Sequence, residues 1–414
     1  MSKASKLSTD RRSFLRSAAA AGMVASPALS SPSGSSSRIE AIETIALSDP
    51  GKYDFTLVRV RTSDGITGIG QCESPSLVID AVIKTRGGLE HLLKSEDPLE
   101  VERLWQKMYD RTSLWGRRGV TIAAIGAVET ALWDIAGKIL NKPVCELIWR
   151  SFAAVRGPSE IKTRVRPYAT VYPPGDTDDE IRTRLGAAVA RNFAAVKFEE
   201  TPHGFGHGDL HNDVRLVRLA RETIGERRDL MIDVQNAWYD VGQAVATCKA
   251  IEPLNVFFIE APFAADNLEA YRRLADAVDV RIAAGDWGFS TRFDYIDLME
   301  RGGVDVVQPS TVRSGGIGEI VKIAEMAYRR GRIIVPHCWN HVVGVAAALH
   351  IAAVVPNLPY FEFPLAFPDS PLISELLVPP LRPEGDGWIE LPRRPGLGFT
   401  LDEKLVKRYR VPPF

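Results

Sequence analysis

A regular beat in the second half of the chain limits what it can fold into. Short β-branched or apolar runs alternate with stretches of helical, 3.6-residue periodicity. The runs are Thr163–Val171, Ala194–Glu200, Asp229–Gln235, Val256–Pro262, Arg281–Asp286, Asp305–Ser310, Arg332–His337 and Tyr360–Pro364. Several are continuously apolar, as expected of parallel strands buried on both faces. Segments between them, such as Asp213–Ile224 and Gly316–Arg330, carry the charged outer face of a surface helix. The last polar residues of successive runs are Lys197, Asp233, Glu260, Asp286, Ser310, His337 and Glu362, at spacings of 36, 27, 26, 24, 27 and 25 residues. One strand, one helix and two loops take about that length. The pattern predicts eight β/α units closed into a TIM-like barrel, whose active site lies at the C-terminal strand ends. An open doubly wound sheet uses the same units. It would not usually set carboxylates at the ends of three consecutive strands, and no Gly-x-Gly-x-x-Gly follows the first strand.

The remainder has another texture. In residues 38–155, Asp54–Ser63 and Gly65–Cys72 read as strands around a turn at Ser63-Asp64-Gly65. Helical patterns follow at Leu99–Arg111, Thr121–Leu140 and Pro143–Trp149, so this part is expected to be an α+β domain. The barrel is assigned to residues 156–370. Residues 371–414 are Pro-rich, with a helix expected near Asp402–Arg408, and are expected to pack back on the first domain. Residues 1–37 stand apart. Thr-Asp-Arg11-Arg12-Ser-Phe-Leu-Arg, followed by the small apolar run Ser17–Val24 and a Ser/Pro-rich segment, resembles a twin-arginine export signal. The resemblance implies a soluble periplasmic product without a membrane anchor. The apolar run is too short to span a bilayer, which takes about 20 residues.

Composition narrows the partners. With 52 Asp+Glu against 51 Lys+Arg, the net charge of −1 gives no reason to expect nucleic acid or an anionic membrane. Cys72, Cys145, Cys248 and Cys338 include no Cys-x-x-Cys pair, which argues against a disulfide framework or a thiolate zinc site. Asp233, Glu260 and Asp286 end three neighbouring strands. Three hard oxygen donors converging on one point suit Mg2+ rather than zinc, since no His stands at these positions.

In order and spacing, several motifs resemble the enolase superfamily, in particular its mandelate racemase/muconate lactonizing enzyme-like branch of acid-sugar dehydratases and racemases. The first domain supplies Gly65-Ile66-Thr67-Gly68-Ile69-Gly70, Trp133-Asp134-Ile135-Ala136-Gly137-Lys138 and Pro143-Val144. The barrel supplies Val196-Lys197, Met231-Ile232-Asp233-Val234-Gln235-Asn236-Ala237-Trp238, Ile259-Glu260-Ala261-Pro262, Ala284-Gly285-Asp286, Val307-Gln308-Pro309, Gly315-Gly316, Pro336-His337-Cys338-Trp339 and Phe361-Glu362. The resemblance implies an α+β capping domain on a (β/α)7β barrel. It also implies Mg2+ on Asp233, Glu260 and Asp286, and abstraction of the proton α to a substrate carboxylate with an enediolate intermediate. Catalytic roles fall to His337 as base, Lys197 near the carboxylate and Glu362 in support. A homo-oligomer is implied as well.

Three residues depart from the family's usual pattern. Asp286 replaces a Glu. Glu199 stands where many members have a second Lys, and Ser310 where an Asp commonly holds the base His. Losing that Lys while keeping His337 favours dehydration, which can run with one acid/base group, over racemisation. The expected function is a Mg2+-dependent sugar-acid dehydratase. The alternatives are a racemase, epimerase or cycloisomerase of the same superfamily, or a periplasmic sugar-acid binding protein without catalysis. Two further features bear on specificity: the Gly-rich loop Glu199–Asn212 with His203, His207 and His211, and Trp115-Gly116-Arg117-Arg118 before the long helix. Trp339, Asn340 and His341 follow the base and are candidates for shaping the pocket.

Overall fold

The computed structural model describes residues 36–151, 160–172, 177–199, 209–339, 341–365 and 369–414. The twin-arginine-like stretch, the expected domain junction at 155/156, His203, His207 and Asn340 lie outside the described residues.

The chain opens with an antiparallel sheet of β1 (Ile39–Asp49), β2 (Tyr53–Thr62) and β3 (Thr67–Cys72). Helices α1 (Ser76–Lys84), α2 (Leu89–Leu93), α3 (Val101–Thr112), α4 (Val120–Leu140) and α5 (Val144–Ser151) follow. The sequence periodicity located β2, β3, α3, α4 and α5 to within two residues, but gave no position for β1, α1 or α2. Although α4 is long and apolar enough to cross a bilayer, it is almost wholly buried inside the protein. Its approach to β3 explains the Gly-x-Gly of that strand. A Cβ on Gly68 would lie 2.0 Å from Ala131 O, and one on Gly70 would lie 1.8 Å from Ala127 O.

The second domain is a barrel of eight parallel strands: β4 (Pro167–Val171), β5 (Ala195–Glu199), β6 (Asp229–Asp233), β7 (Val256–Glu260), β8 (Ile282–Ala284), β9 (Val306–Val307), β10 (Ile333–Ile334) and β11 (Phe361–Pro364). Each of β4 to β9 pairs with its successor in sequence, and β11 returns to pair with β4. At the seam before β11, Ile334 N donates to Asn357 O (3.1 Å). Helices α6 (Asp178–Ala190), α7 (Leu210–Ile224), α8 (Val241–Ile251), α9 (Leu268–Ala275), α10 (Arg292–Asp297), α11 (Ile317–Arg329) and α12 (Val342–Val354) lie between successive strands, giving (β/α)7β.

The two-residue period of a strand divides the barrel interior into layers. Tyr168, Ala195, Met231, Phe258, Ala283, Val306, Val335 and Tyr360 fill its floor. Two positions further along their strands stand Thr170, Lys197, Asp233 and Glu260, all buried. An apolar plug therefore underlies a polar mouth.

The tail touches both domains. Ile389–Glu390 pairs with Arg164–Val165 just before the first barrel strand, and Arg410–Val411 pairs with β1 of the cap. Cap and barrel also interlock through α4. A Cβ on Gly126 would lie 2.8 Å from Gly316 N. One turn on, Glu129 accepts from Ile317 N and Gly318 N, both at 2.7 Å, at the N-terminus of α11, and from Trp133 Nε1 at 2.7 Å. This is where a helix leaves its first N–H groups without partners. Burial pushes the Glu129 carboxyl up to about 8 despite these donors.

Candidate active site

The residues picked out by spacing arrive together at one end of the barrel. Asp233 and Glu260 are register partners on β6 and β7, and Glu199 lies opposite Asp233 on β5. Ser310 and His337 face each other across an isolated parallel bridge just beyond β9 and β10. The backbone turns sharply behind these side chains. Gln235, Ala261 and Trp339 have φ of 47°, 46° and 43°, a left-handed conformation uncommon for residues other than glycine. Gly285, immediately before Asp286, has φ 124°, and a Cβ there would meet the Tyr295 ring at 2.6 Å. The Ala-Gly-Asp motif thus needs its glycine for both conformation and space.

Lys197 is completely buried, and its ammonium is shared among four carboxylates. Nζ lies 2.9 Å from Glu260 Oε1, 3.1 Å from Glu362 Oε1, 3.4 Å from Asp233 Oδ2 and 3.8 Å from Glu199 Oε1. Burial opposes charge on Lys197, but Glu260 and Glu362 outweigh it and hold the ammonium on. The carboxylates are undercompensated. Burial and then Asp233 push Asp286 up to about 7 and Glu260 well above the ordinary range. Burial also raises Asp233 and Glu199, with Lys197 pulling the other way.

Among the described residues no three His, Cys, Asp or Glu side chains already converge as a finished metal shell. The donor set of Asp233, Glu260 and Asp286 nonetheless fits a hard divalent cation. It is all oxygen, it comes from adjacent strands, and its charge exceeds what one ammonium neutralises.

His337 sits between two partners. Nδ1 lies 3.3 Å from Ser310 Oγ, and Nε2 lies 3.8 Å from Glu362 Oε2. Burial dominates its electrostatics and lowers the imidazole to about 3, although Glu362 pulls upward. At neutral pH the ring is uncharged and able to accept a proton. Glu362 is itself pinned: Cys338 N and Trp339 N donate to Oε2 at 2.7 and 2.9 Å, and Thr170 Oγ1 donates to Oε1 at 2.5 Å. Burial would raise its carboxyl, yet Lys197 and the Thr170 and Trp339 donors hold it well below the usual range. Gln308, from the Gln-Pro motif, donates to Glu260 Oε2 at 2.7 Å.

Other sequence candidates have more local roles. Arg118 pairs with Asp294 of α10 at 2.6 Å, and Gly119 N donates to Ser290 Oγ at 2.9 Å, which ties the loop before α4 to α10 and the loop that precedes it. His211 is exposed on α7, its N–H capped by Asp209. His341 is buried at the N-cap position of α12, but its side chain makes no capping hydrogen bond. Sequence reasoning missed Glu73 and Arg313, which form an ion pair at 2.5 Å between the cap and the barrel mouth. A carboxyl directly after the Gly-x-Gly strand was the only signal for Glu73.

A parallel barrel with buried carboxylates, one ammonium and a neutral imidazole at its mouth, roofed by an α+β domain, defines an enzyme of proton-transfer chemistry. Residues 38–149 match the domain family described as "Mandelate racemase / muconate lactonizing enzyme, N-terminal domain", and residues 180–405 match "Enolase C-terminal domain-like". The chain belongs to this branch of the enolase superfamily. It is 30% identical over 359 residues to an arabinonate dehydratase of Saccharolobus solfataricus, covering 86% of this chain and 91% of that one. It is 29% identical over 367 residues to a D-galactarolactone cycloisomerase of Agrobacterium fabrum, at 86% and 91% coverage. A solved racemase from Streptomyces coelicolor A3(2) with bound magnesium superposes with a TM-score of 0.77 at 26% identity, covering 90% of this chain and all of that one.

Proposed function

We propose that this protein is a Mg2+-dependent dehydratase of acid sugars. The observation that carries the reading is the neutral, buried His337 held between Ser310 and Glu362, at a mouth where Glu199 stands in the place that the family resemblance gives to a second lysine. Asp233, Glu260 and Asp286 would hold the ion, which when bound supplies positive charge against the substrate carboxylate. His337 Nε2 takes the proton from the carbon α to that carboxylate, and the C–H electron pair moves into the carboxylate to give an enediolate. Collapse of the enediolate expels the β-hydroxyl. The proton gained by His337 leaves with it as water, and the remaining enol becomes a 2-keto-3-deoxy acid. Lys197 keeps positive charge beside the reacting end throughout. Glu362 fixes Lys197 and the loop after the base.

The direct test is an acid-sugar panel with Mg2+ in deuterium oxide. The expected result is 2-keto acid from at least one aldonate and none in chelator. Deuterium entering the α-carbon with no keto acid on the whole panel would replace this reading with racemisation, epimerisation or cycloisomerisation, the last supported by the similarity to the galactarolactone enzyme.

The pH profile offers a second check. With Ser310 as its neighbour, His337 stays unprotonated from neutral pH down to about 3, so it should add no acid limb to kcat/KM between pH 5 and 8. A carboxylate at that position favours the charged imidazolium and raises its pKa. Ser310→Asp should therefore move an acid limb upward towards neutrality, with reduced activity below it. An unmoved profile in an active, folded variant would show that position 310 does not govern the base.

A further inference from the structure

Glu73 follows β3 at the junction of cap and barrel, where its N–H donates to Val312 O (3.4 Å). One carboxylate oxygen is committed: Arg313 Nη2 holds Oε1 at 2.5 Å. The same guanidinium donates through Nη1 to Asp286 O at 2.7 Å and lies over the Trp287 ring at 5.1 Å. Glu73 is thereby fixed relative to the strand end that carries Asp286. Its other oxygen, Oε2, is buried and has no hydrogen-bond partner among the described residues.

The nearest candidate donor fails. His341 Nε2 lies 3.7 Å away, beyond a normal hydrogen bond. His341 Nδ1 lies 3.1 Å from Cys338 O, and a carbonyl only accepts, so the neutral ring carries its proton on Nδ1. Its Nε2 then offers a lone pair and nothing to donate. Burial lowers this imidazole, which keeps it neutral at ordinary pH. Burial opposes charge on Glu73 too, but the Arg313 guanidinium, 2.5 Å from Oε1, stays charged beside it and keeps the carboxyl ionised. An ionised oxygen therefore waits for a donor at the seam of cap and barrel, itself covered on a side chain whose other atoms keep it 31% exposed.

We propose that Glu73 Oε2 is a specificity-determining acceptor for one hydroxyl on the chain of an acid-sugar substrate, selecting aldonates over dicarboxylic aldarates. The proposal rests on the acid-sugar reading above. A hydroxyl supplies the missing donor without adding charge. A second carboxylate has no proton to give and is repelled by Glu73. A site built to receive a hydroxyl discriminates strongly against the analogue that lacks it.

The test is calorimetric binding, in Mg2+, of D-arabinonate, D-galactonate, their monodeoxy analogues and galactarate to wild type and Glu73→Gln. In wild type, removing one particular hydroxyl should weaken binding at least about tenfold, as loss of a hydrogen bond to a charged group does. In Glu73→Gln that penalty should fall below about threefold, while penalties at the other positions stay unchanged. Galactarate should bind wild type more weakly than galactonate, and the gap should narrow in the variant. Glu73→Asp keeps the charge but withdraws the oxygens by one methylene, so it should lose the hydroxyl discrimination and keep the bias against galactarate. Equal penalties in all three proteins, or galactarate binding wild type as well as galactonate does, overturn the role of Glu73. Failure of wild type to bind any of these acids overturns the acid-sugar reading, and this proposal with it.

Discussion

His337→Asn is expected to lower kcat/KM by about 10²–10⁴-fold, the usual contribution of a positioned acid–base group. Asparagine retains a polar side chain that can meet Ser310 Oγ, which lies 3.3 Å from Nδ1 in the native ring, so the fold should survive. What disappears is the basic nitrogen 3.8 Å from Glu362 Oε2. Exchange of the substrate's α-proton with deuterium oxide should vanish together with keto-acid formation, because both begin with the same abstraction. Mg2+ titration should be unaffected, since Asp233, Glu260 and Asp286 stand on other strands. A variant that still exchanges the α-proton at the native rate would remove His337 from the role of base.

Lys197→Met should be the most destabilising conservative change at the mouth. Its ammonium is the cation shared by Glu260, Glu362, Asp233 and Glu199. Removing one partner from a buried ionic cluster costs about 3–5 kcal/mol. The sign of the pH dependence follows from the raised carboxyls. A carboxyl whose folded pKa exceeds its unfolded value contributes stability below the unfolded pKa and loses it as pH rises through the folded one. For Asp286 that window runs from the ordinary Asp value of 3.8 to about 7. Without Lys197 the carboxyls move further upward. Glu362, held low by Lys197, loses its partner at both pH values, so the melting-temperature gap between variant and wild type in chelator should already be present near pH 5 and grow larger near pH 8. A divalent cation supplies the missing charge, so Mg2+ should narrow the gap at pH 8. A gap independent of both pH and Mg2+ would mean that Lys197 contributes packing alone.

The barrel was legible because it is periodic. A strand-end residue every 24 to 36 positions is a one-dimensional record of a closed ring, and the polar mouth follows once the period is seen. Lys197, Asp233, Glu260, His337 and Glu362 could be picked out in this way. Their detailed pairing could not. Nothing in the spacing says that one ammonium contacts four carboxylates, since that depends on rotamers inside a shared, low-dielectric space. The contacts between domains were the least legible. Glu73 and Arg313 meet across the chain fold, and Glu129 reaches the start of α11 from the middle of an apolar helix. No local pattern distinguishes such a glutamate from a solvated one. The first strand and α1 were also missed. The order of β1 comes chiefly from long-range pairing with β2, as in Ile45↔Leu57, whereas its own sequence mixes charged and apolar residues.

The pairing of Arg410–Val411 with β1 has a consequence for how the molecule is made. The cap is begun by the first described strand and completed by the last, with the entire barrel synthesised in between. Until those final residues leave the ribosome, one edge of the cap sheet lacks this partner. The N–H of Leu77 in α1 likewise lacks the Phe414 carbonyl that accepts from it. The barrel strands, paired mostly with their neighbours in sequence, can zip up during synthesis. The edge of the cap sheet that pairs with Arg410–Val411 is therefore completed only after the whole barrel has been made.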